Sequence, residues 1–211
     1  MTSKILCAAL LLLSSGTLYA QRLELSLSGG GALNIPLNDN TYRMWNSMKP
    51  RVNAFGAAEL RFRPLARLTI GCGVSAERLS MGIDITTTTI HTPEQDKTTR
   101  VAVYAGKPAI TAYLLVGTRF SLGRYSLHPE LTGGYVQAKT GSLKDNTLSY
   151  GDGSGTMFGA QLLLQRKLGK HFSAGVKTGI RYFSISYDRP GISEQGHIIS
   201  VPFGAVVSMS L

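Results

Sequence analysis

The sequence is poor in cysteine, with two in total at Cys7 and Cys72. Cys7 lies in an N-terminal stretch that we expect to be removed, which leaves a single thiol and excludes a disulfide framework. The four histidines are scattered along the chain and, with one cysteine, form no cluster with metal-ligand spacing. We therefore predict neither a metal site nor a bound cofactor.

Long apolar runs are also missing. Nothing reaches the roughly 18 consecutive apolar residues that a transmembrane helix needs. One shorter run, residues 5–13, follows Lys4 and is followed by small and polar residues up to Ala20, which is the pattern of a signal peptide. We predict a cleaved signal peptide over residues 1–20 and a single mature domain over 21–211.

Acidic residues are few, with 12 Asp and Glu against 22 Lys and Arg and a formal net charge of +10. Such an excess serves solubility, and it equally favours contact with anionic lipid headgroups or with lipopolysaccharide phosphates. For an exported chain we predict outer-membrane lipids and lipopolysaccharide as partners, and no nucleic acid.

The sequence does contain a two-residue alternation, which is clearest over residues 198–211. The odd-numbered positions there are apolar, and the even-numbered ones are mostly small or polar. In water so long an apolar row on an edge strand would promote aggregation. In a bilayer the same row faces lipid, and a closed barrel pairs every backbone group. We interpret this stretch as the closing strand of a transmembrane barrel.

Seven earlier segments repeat the alternation, and long and short connections alternate between them. The predicted strands begin at Leu23 and then cover residues 51–63, 68–77, 109–122, 125–139, 157–168, 171–187 and 198–211. The connections at 34–50, 140–156 and 188–197 are polar and long, whereas those at Pro64 and at 123–124 and 169–170 are short turns. This is typical of a closed, antiparallel, up-and-down β-barrel of eight strands, with long extracellular loops and periplasmic termini.

Residues 79–105 leave one alternative open. Their alternation continues past strand three, through a threonine run and a polar tip at 91–97. We interpret them as a hairpin that projects beyond the membrane and offers a surface for an extracellular protein partner. The alternative makes them two further barrel strands, which gives ten.

These features resemble the small eight-stranded outer-membrane β-barrel proteins of the OmpA-like, porin-family type. The resemblance covers nearly all of the mature chain and rests on the signal peptide, the alternating strands and loops, and the apolar C-terminal strand. It implies a location in the outer membrane of a Gram-negative cell and assembly by the barrel-assembly machinery. Members commonly end in phenylalanine where this chain has Leu211, and often carry a peptidoglycan-binding domain that we do not expect here.

Charged residues fall on the faces that we predict to point into the barrel. They are Glu24, Glu59, Arg61, Glu77, Arg119, Glu130, Lys177 and Arg181. Eight strands enclose a space just wide enough for side chains, so these groups must pair with one another. We interpret them as a packed ionic core that plugs the barrel, and the alternative is a gated polar conduit.

No pattern indicates catalysis. His128 is followed by Pro129 and Glu130, and His197 points to the opposite face of a strand from Ser200. A nucleophile and a base do not share a face at a usable spacing. We predict a non-enzymatic protein with a structural or surface-interaction role. The first alternative is a narrow channel or transporter for small solutes, and the second, ranked below it, is a lipid-modifying enzyme.

Overall fold

The computed structural model describes residues 22–37, 48–79, 81–87, 97–103, 108–138, 152–189 and 192–210. The predicted signal peptide and most of the predicted hairpin tip lie outside these ranges. Within them, no helix is long and apolar enough to cross a membrane.

The described chain is built from β-strands, which are numbered here in chain order. They are β1 (Arg22–Pro36), β2 (Met48–Lys49), β3 (Arg51–Arg63), β4 (Leu68–Glu77), β5 (Met81–Thr87), β6 (Lys97–Val103), β7 (Ala109–Thr118), β8 (Phe120–Leu122), β9 (Tyr125–Ala138), β10 (Gly153–Lys167), β11 (Phe172–Arg189) and β12 (Ile192–Ser210).

The eight long strands form one closed antiparallel sheet. Each pairs with the next long strand along the chain, and β12 returns to pair with β1, for example at Leu27 and Val207. Strands β5 and β6 pair with each other, and β5 also pairs with β2, in a separate three-stranded sheet. The prediction of an all-β, up-and-down barrel of eight strands is therefore confirmed, and the ten-stranded alternative is wrong.

The two faces of each barrel strand have opposite character, as the alternation predicts. On β3, the side chains of Glu59 and Arg61 are buried inside the barrel, whereas Leu60 between them points outward. Leu114 on β7 is 70% exposed on the exterior beside the buried Tyr113. The predicted register is correct on every long strand.

The predicted loop at 188–197 is wrong. β11 continues to Arg189 and β12 begins at Ile192, and the two remain paired up to these residues. With 18 and 19 residues, both strands exceed the roughly 9–11 residues that cross the hydrocarbon layer. Residues 188–197 are polar and were therefore predicted as a loop. Outside the bilayer, however, both faces of a strand contact water, so polar residues suit a strand as well.

Two other long connections are also shorter than predicted. β1 runs through its glycines to Pro36, into the predicted loop at 34–50, because it stays paired with β12 from Glu24 to Pro36. β10 begins at Gly153, inside the predicted loop at 140–156.

The predicted strand at 109–122 is interrupted at Arg119, between β7 and β8. Pro129 on β9 lies opposite Thr118, next to this break, and has no backbone N–H to donate. The register is the same on both sides, since Gly117 pairs with Glu130 and Phe120 pairs with Leu127. The backbone N–H of Arg119 instead donates to the carbonyl of Arg67, at 2.8 Å.

Candidate functional site

The polar residues of the barrel lie in its interior, the lumen, where alternate positions of all eight long strands converge. Glycines make room for the large side chains among them. At Gly73 on β4, a Cβ atom would lie 2.7 Å from the Tyr113 ring and 2.9 Å from Cγ of Glu59. Glycine at this position therefore allows two bulky partners from the neighbouring strands to meet.

Glu59 on β3 is the centre of the lumenal contacts. Its Oε1 accepts hydrogen bonds from Lys177 Nζ at 2.5 Å, from Tyr113 Oη at 2.7 Å and from Gln161 Nε2 at 3.0 Å. Its Oε2 accepts from Arg61 Nη2 at 2.6 Å. These partners come from β11, β7, β10 and β3, so one carboxylate connects four strands of the barrel.

Arg61 connects Glu59 to a second carboxylate, that of Glu130 on β9. Its Nε donates to Glu130 Oε1 at 2.7 Å, and its Nη2 donates to Oε2 at 3.1 Å. Such two-pronged arginine–carboxylate pairing is the strongest form of this interaction. Gln161 Nε2 also donates to Glu130, at 2.7 Å, and Arg61 Nη1 donates to Ser26 at 2.6 Å.

A second ion pair lies nearer the extracellular end. Arg181 Nη1 is 3.4 Å from Glu77 Oε2, and Glu77 also accepts a hydrogen bond from Ser200. The Arg181 guanidinium lies over two aromatic rings, 5.7 Å from the centre of Tyr113 and 5.9 Å from that of Phe55. Cations are stabilised over aromatic faces at this range.

Above this pair the lumen becomes apolar. Buried side chains from the extracellular ends of the strands pack there and form what we call the apolar cap. Its members are Leu79, Ala109, Val136, Ala138, Met157, Phe183, Ile185 and Ile198. Val136, Met157, Phe183, Ile185 and Ile198 are at most 1% exposed, so these side chains cover the ionic residues on this side.

The periplasmic end of the lumen is polar. Arg63 donates to Glu24, and Ser26 shares a 2.7 Å hydrogen bond with Ser208. Ser208 also accepts from Gln165, at 2.6 Å. Glu24 is 1% exposed, so this pair closes the lumen below the Glu59 cluster.

The eight charges singled out in the sequence all lie on inward positions. Seven of them take part in the ion pairs above. Arg119 lines the periplasmic mouth of the barrel. The sequence interpretation did not include Arg63, Tyr113 and Gln161 in the ionic core. Arg63 continues the inward run of 59 and 61, while Tyr113 and Gln161 face inward but carry no charge to mark them.

The centre of the lumen is filled by buried charged side chains. The side chains of Glu59, Arg61, Glu130 and Lys177 are 0% exposed. Removing one partner of such a buried pair leaves an uncompensated charge and costs about 3–5 kcal/mol. An open path through the barrel would have to break several of these pairs together.

Among the described histidines, His128 is the one that lies next to a hydroxyl inside the barrel. Its Nε2 is 2.9 Å from Ser126 Oγ, but the residue is 0% exposed, so it cannot meet a substrate. No group of three or more His, Cys, Asp or Glu residues with metal-binding geometry occurs in the described ranges.

The exterior is an apolar belt between two levels of aromatic residues. Phe120, Tyr125 and Phe172 are exposed beside the short turns, and Tyr135 and Tyr182 are exposed nearer the other end. Tyr125 and Tyr135 are ten residues apart on β9. At about 3.3 Å per residue and a tilt of about 40°, this separation is roughly 25 Å, the height of the apolar band of an outer-membrane barrel.

The outward side chains between these two levels include no charged residue in the described strands. Lipid is therefore the environment that fits this surface, because contact of so large an apolar surface with water or with a polar partner is unfavourable. The short turns lie at the same side of the barrel as Arg22 and Ser210, the first and last described residues, and mark the periplasmic side of the membrane.

No family model matches the chain, and no curated protein sequence matches it. Solved structures that are similar in shape include OprG from Pseudomonas aeruginosa, with 10% identity and a TM-score of 0.49 over 91% of this chain and 97% of that one. A major outer membrane protein from Thermus thermophilus has 9% identity and a TM-score of 0.48, covering 92% and 100%. Neisserial surface protein A has 8% identity and a TM-score of 0.47, covering 89% and 96%.

At these values the comparisons carry no argument about activity, and the conclusion rests on the molecule itself. A closed sheet pairs the backbone of every barrel strand, and an uncharged belt of membrane height surrounds it. The short turns lie at the same end as Arg22 and Ser210, the first and last described residues. The chain is a small eight-stranded β-barrel protein of the bacterial outer membrane.

Proposed function

We propose that this protein is a non-conducting barrel that acts at the cell surface through the structures it extends beyond the membrane. The observation that carries the proposal is the sealed lumen, in which four charged side chains at the centre are 0% exposed. A barrel filled in this way has no interior to transport through. What such a barrel can still provide is a rigid frame that holds extracellular segments in place.

Two hairpins are such segments. β5 and β6 pair from Met81 and Val103 to Thr87 and Lys97, in a sheet separate from the barrel. β11 and β12 stay paired up to Arg189 and Ile192, well beyond Tyr182 at the upper aromatic level. In the order β2-β5-β6, β6 stands at an edge of its sheet. Edge strands accept a further strand from a partner, so the proposed ligand is an extracellular protein segment.

Assembly by the barrel-assembly machinery and contact with lipopolysaccharide belong to the same proposal. They follow from residence in the outer membrane and from the net positive charge.

The experiment has two arms. External trypsin on intact cells should cut the hairpin at Lys97 or Arg100 while the barrel fragment stays in the membrane. Proteoliposomes that contain the purified protein should not swell in isotonic arabinose. Swelling would favour the alternative, a narrow channel for small solutes. Resistance of the hairpin to trypsin on intact cells, with cleavage in opened cells, would contradict surface display.

A further inference from the structure

The three periplasmic turns carry an unusual excess of positive charge. Over residues 63–67, 119–124 and 166–171 there are seven Lys and Arg and no Asp or Glu. The seven are Arg63, Arg67, Arg119, Arg124, Arg166, Lys167 and Lys170. Like charges gathered at one end repel one another, and short turns need no charge to form. The concentration of cations therefore indicates an anionic ligand.

Backbone hydrogen bonds hold these turns together around the mouth of the barrel. Arg119 N donates to Arg67 O at 2.8 Å, and Lys167 N donates to Arg124 O at 2.9 Å. On the far side, Ser210 N donates to His171 O at 2.8 Å, and His171 Nδ1 lies 3.2 Å from the carbonyl of Ser210. The cations are thus attached to a framework that the closed barrel makes rigid.

The mouth itself is concave. A cavity of about 380 Å³ opens there, and its walls include Arg63, Arg119, Lys167, Lys170 and His171. Ser173 and Ser210 add a hydroxyl each. This volume lies within the range of small-ligand pockets, about 300–1,000 Å³. Among the described residues, no Asp or Glu lines this cavity, and the carboxylate of Glu24 accepts from Arg63 inside the lumen.

The arrangement of donors selects among anions. Guanidinium groups offer paired N–H donors, lysines offer point charges, and the serines offer hydroxyls. They approach from three turns and from β12, that is, from several directions. A carboxylate has two oxygens in one plane, whereas a phosphate group has three or four oxygens that can meet donors on different sides. We propose that the periplasmic mouth of the barrel is a binding site for a phosphate-bearing anion.

Such a phosphate has two sources on this side of the membrane. It belongs either to the headgroup of an anionic phospholipid in the inner leaflet or to a soluble phosphorylated compound of the periplasm. Phe172, which is 54% exposed, lines the same cavity at the level of the leaflet. A lipid headgroup in the leaflet and a soluble anion in the periplasm can therefore both reach the mouth. The chemistry of recognition is the same for both.

Two charge-matched double variants test the site. Lys167→Gln with Lys170→Gln removes two cations that line the cavity. Arg67→Gln with Arg124→Gln removes two exposed cations from the other two turns, outside the cavity. Both lower the net charge by two, and unheated gel mobility shows whether each has folded.

In the first arm, pyrophosphate is titrated by calorimetry into the protein in an uncharged detergent at low salt. The lysine variant should bind pyrophosphate with an affinity about ten times lower than wild type, or lower still, since each charged hydrogen bond lost reduces the affinity at least tenfold. The affinity of the arginine variant for pyrophosphate should stay within about twofold of the wild-type value, because screened charges outside the cavity contribute little. In the second arm, native mass spectrometry counts phosphatidylglycerol and phosphatidylcholine retained from mixed micelles.

Selective retention of phosphatidylglycerol that the lysine variant loses assigns the site to a lipid headgroup. Pyrophosphate binding without such retention assigns it to a soluble ligand. Equal weakening in both variants, or no binding of either probe by the wild-type protein, would overturn the proposal.

Discussion

Glu59 and Lys177 form an ion pair across the barrel interior, with Oε1 and Nζ 2.5 Å apart and both side chains 0% exposed. Their strands, β3 and β11, are separated in the sheet by β12 and β1, and the two residues are 118 positions apart in the sequence. Contacts of this kind fill the centre of the lumen with paired polar side chains.

Removing the arginine at the centre of this core should destabilise the protein strongly. In Arg61→Met, Glu130 loses both of its arginine hydrogen bonds and Glu59 loses one. We expect a loss of about 3–5 kcal/mol in the free energy of unfolding, measured by denaturant titration in lipid. Arg67→Met, the same change at an exposed turn residue, should alter it by about 0.5 kcal/mol or less. Equal effects would show that the lumenal pairs are hydrated rather than buried.

A methyl group at Gly73 should also destabilise the barrel. It would meet the Tyr113 ring at 2.7 Å and Glu59 Cγ at 2.9 Å, which forces apart the two partners of a 2.7 Å hydrogen bond. Overpacking of this kind costs about 1–3 kcal/mol. Gly169→Ala is the matched control, because nothing lies within 4 Å of a Cβ there. If both substitutions have the same midpoint of unfolding, the lumen is less tightly packed than the structure has it.

The membrane belt can be tested with two leucines of similar exposure. Leu114 on β7 is 70% exposed within the belt, and Leu65 is 65% exposed in a periplasmic turn. Leu114→Arg should lower the free energy of unfolding in lipid by about 2–4 kcal/mol, since lipid solvates a guanidinium poorly. Leu65→Arg should be nearly neutral, because water already surrounds that position. A neutral Leu114→Arg would place the membrane elsewhere on the barrel.

The β5–β6 hairpin should be dispensable for assembly. β4 pairs directly with β7, up to Glu77 and Ala109, so the barrel sheet does not depend on the residues between them. A variant in which a short glycine-containing turn replaces residues 80–107 should still migrate faster unheated than boiled. It should also lose the trypsin site on intact cells. Failure to reach the membrane would mean that the hairpin takes part in folding.

The sequence was sufficient to predict the strands and their faces, because a barrel strand in lipid must alternate. Glu59 and Arg61 could be assigned to the lumen from their positions relative to Leu60 alone. Their partners could not, since the pairing of Glu59 with Lys177 depends on the stagger between distant strands, which no local pattern records. The same limit applies to Tyr113, an uncharged side chain that reaches Glu59 only because Gly73 has no Cβ to occupy the space beside its ring.

Strand ends were predicted least well, for a physical reason. Outside the bilayer, polar residues suit a strand as well as a loop, so the sequence around Arg189 and Ile192 gave no sign that β11 and β12 continue. The break at Arg119 was equally hidden, because its cause, Pro129, lies on the neighbouring strand.

The closed lumen is tested most directly by electrical recording from single folded barrels in planar bilayers. We expect no steady conductance above the bare membrane at any moderate voltage, because the core around Glu59 and the apolar cap leave no continuous water path. Insertion should be verified in the same preparation by heat-modifiable gel mobility. A stable, ohmic conductance from protein shown to be inserted and folded would contradict the plugged barrel and the surface role proposed from it.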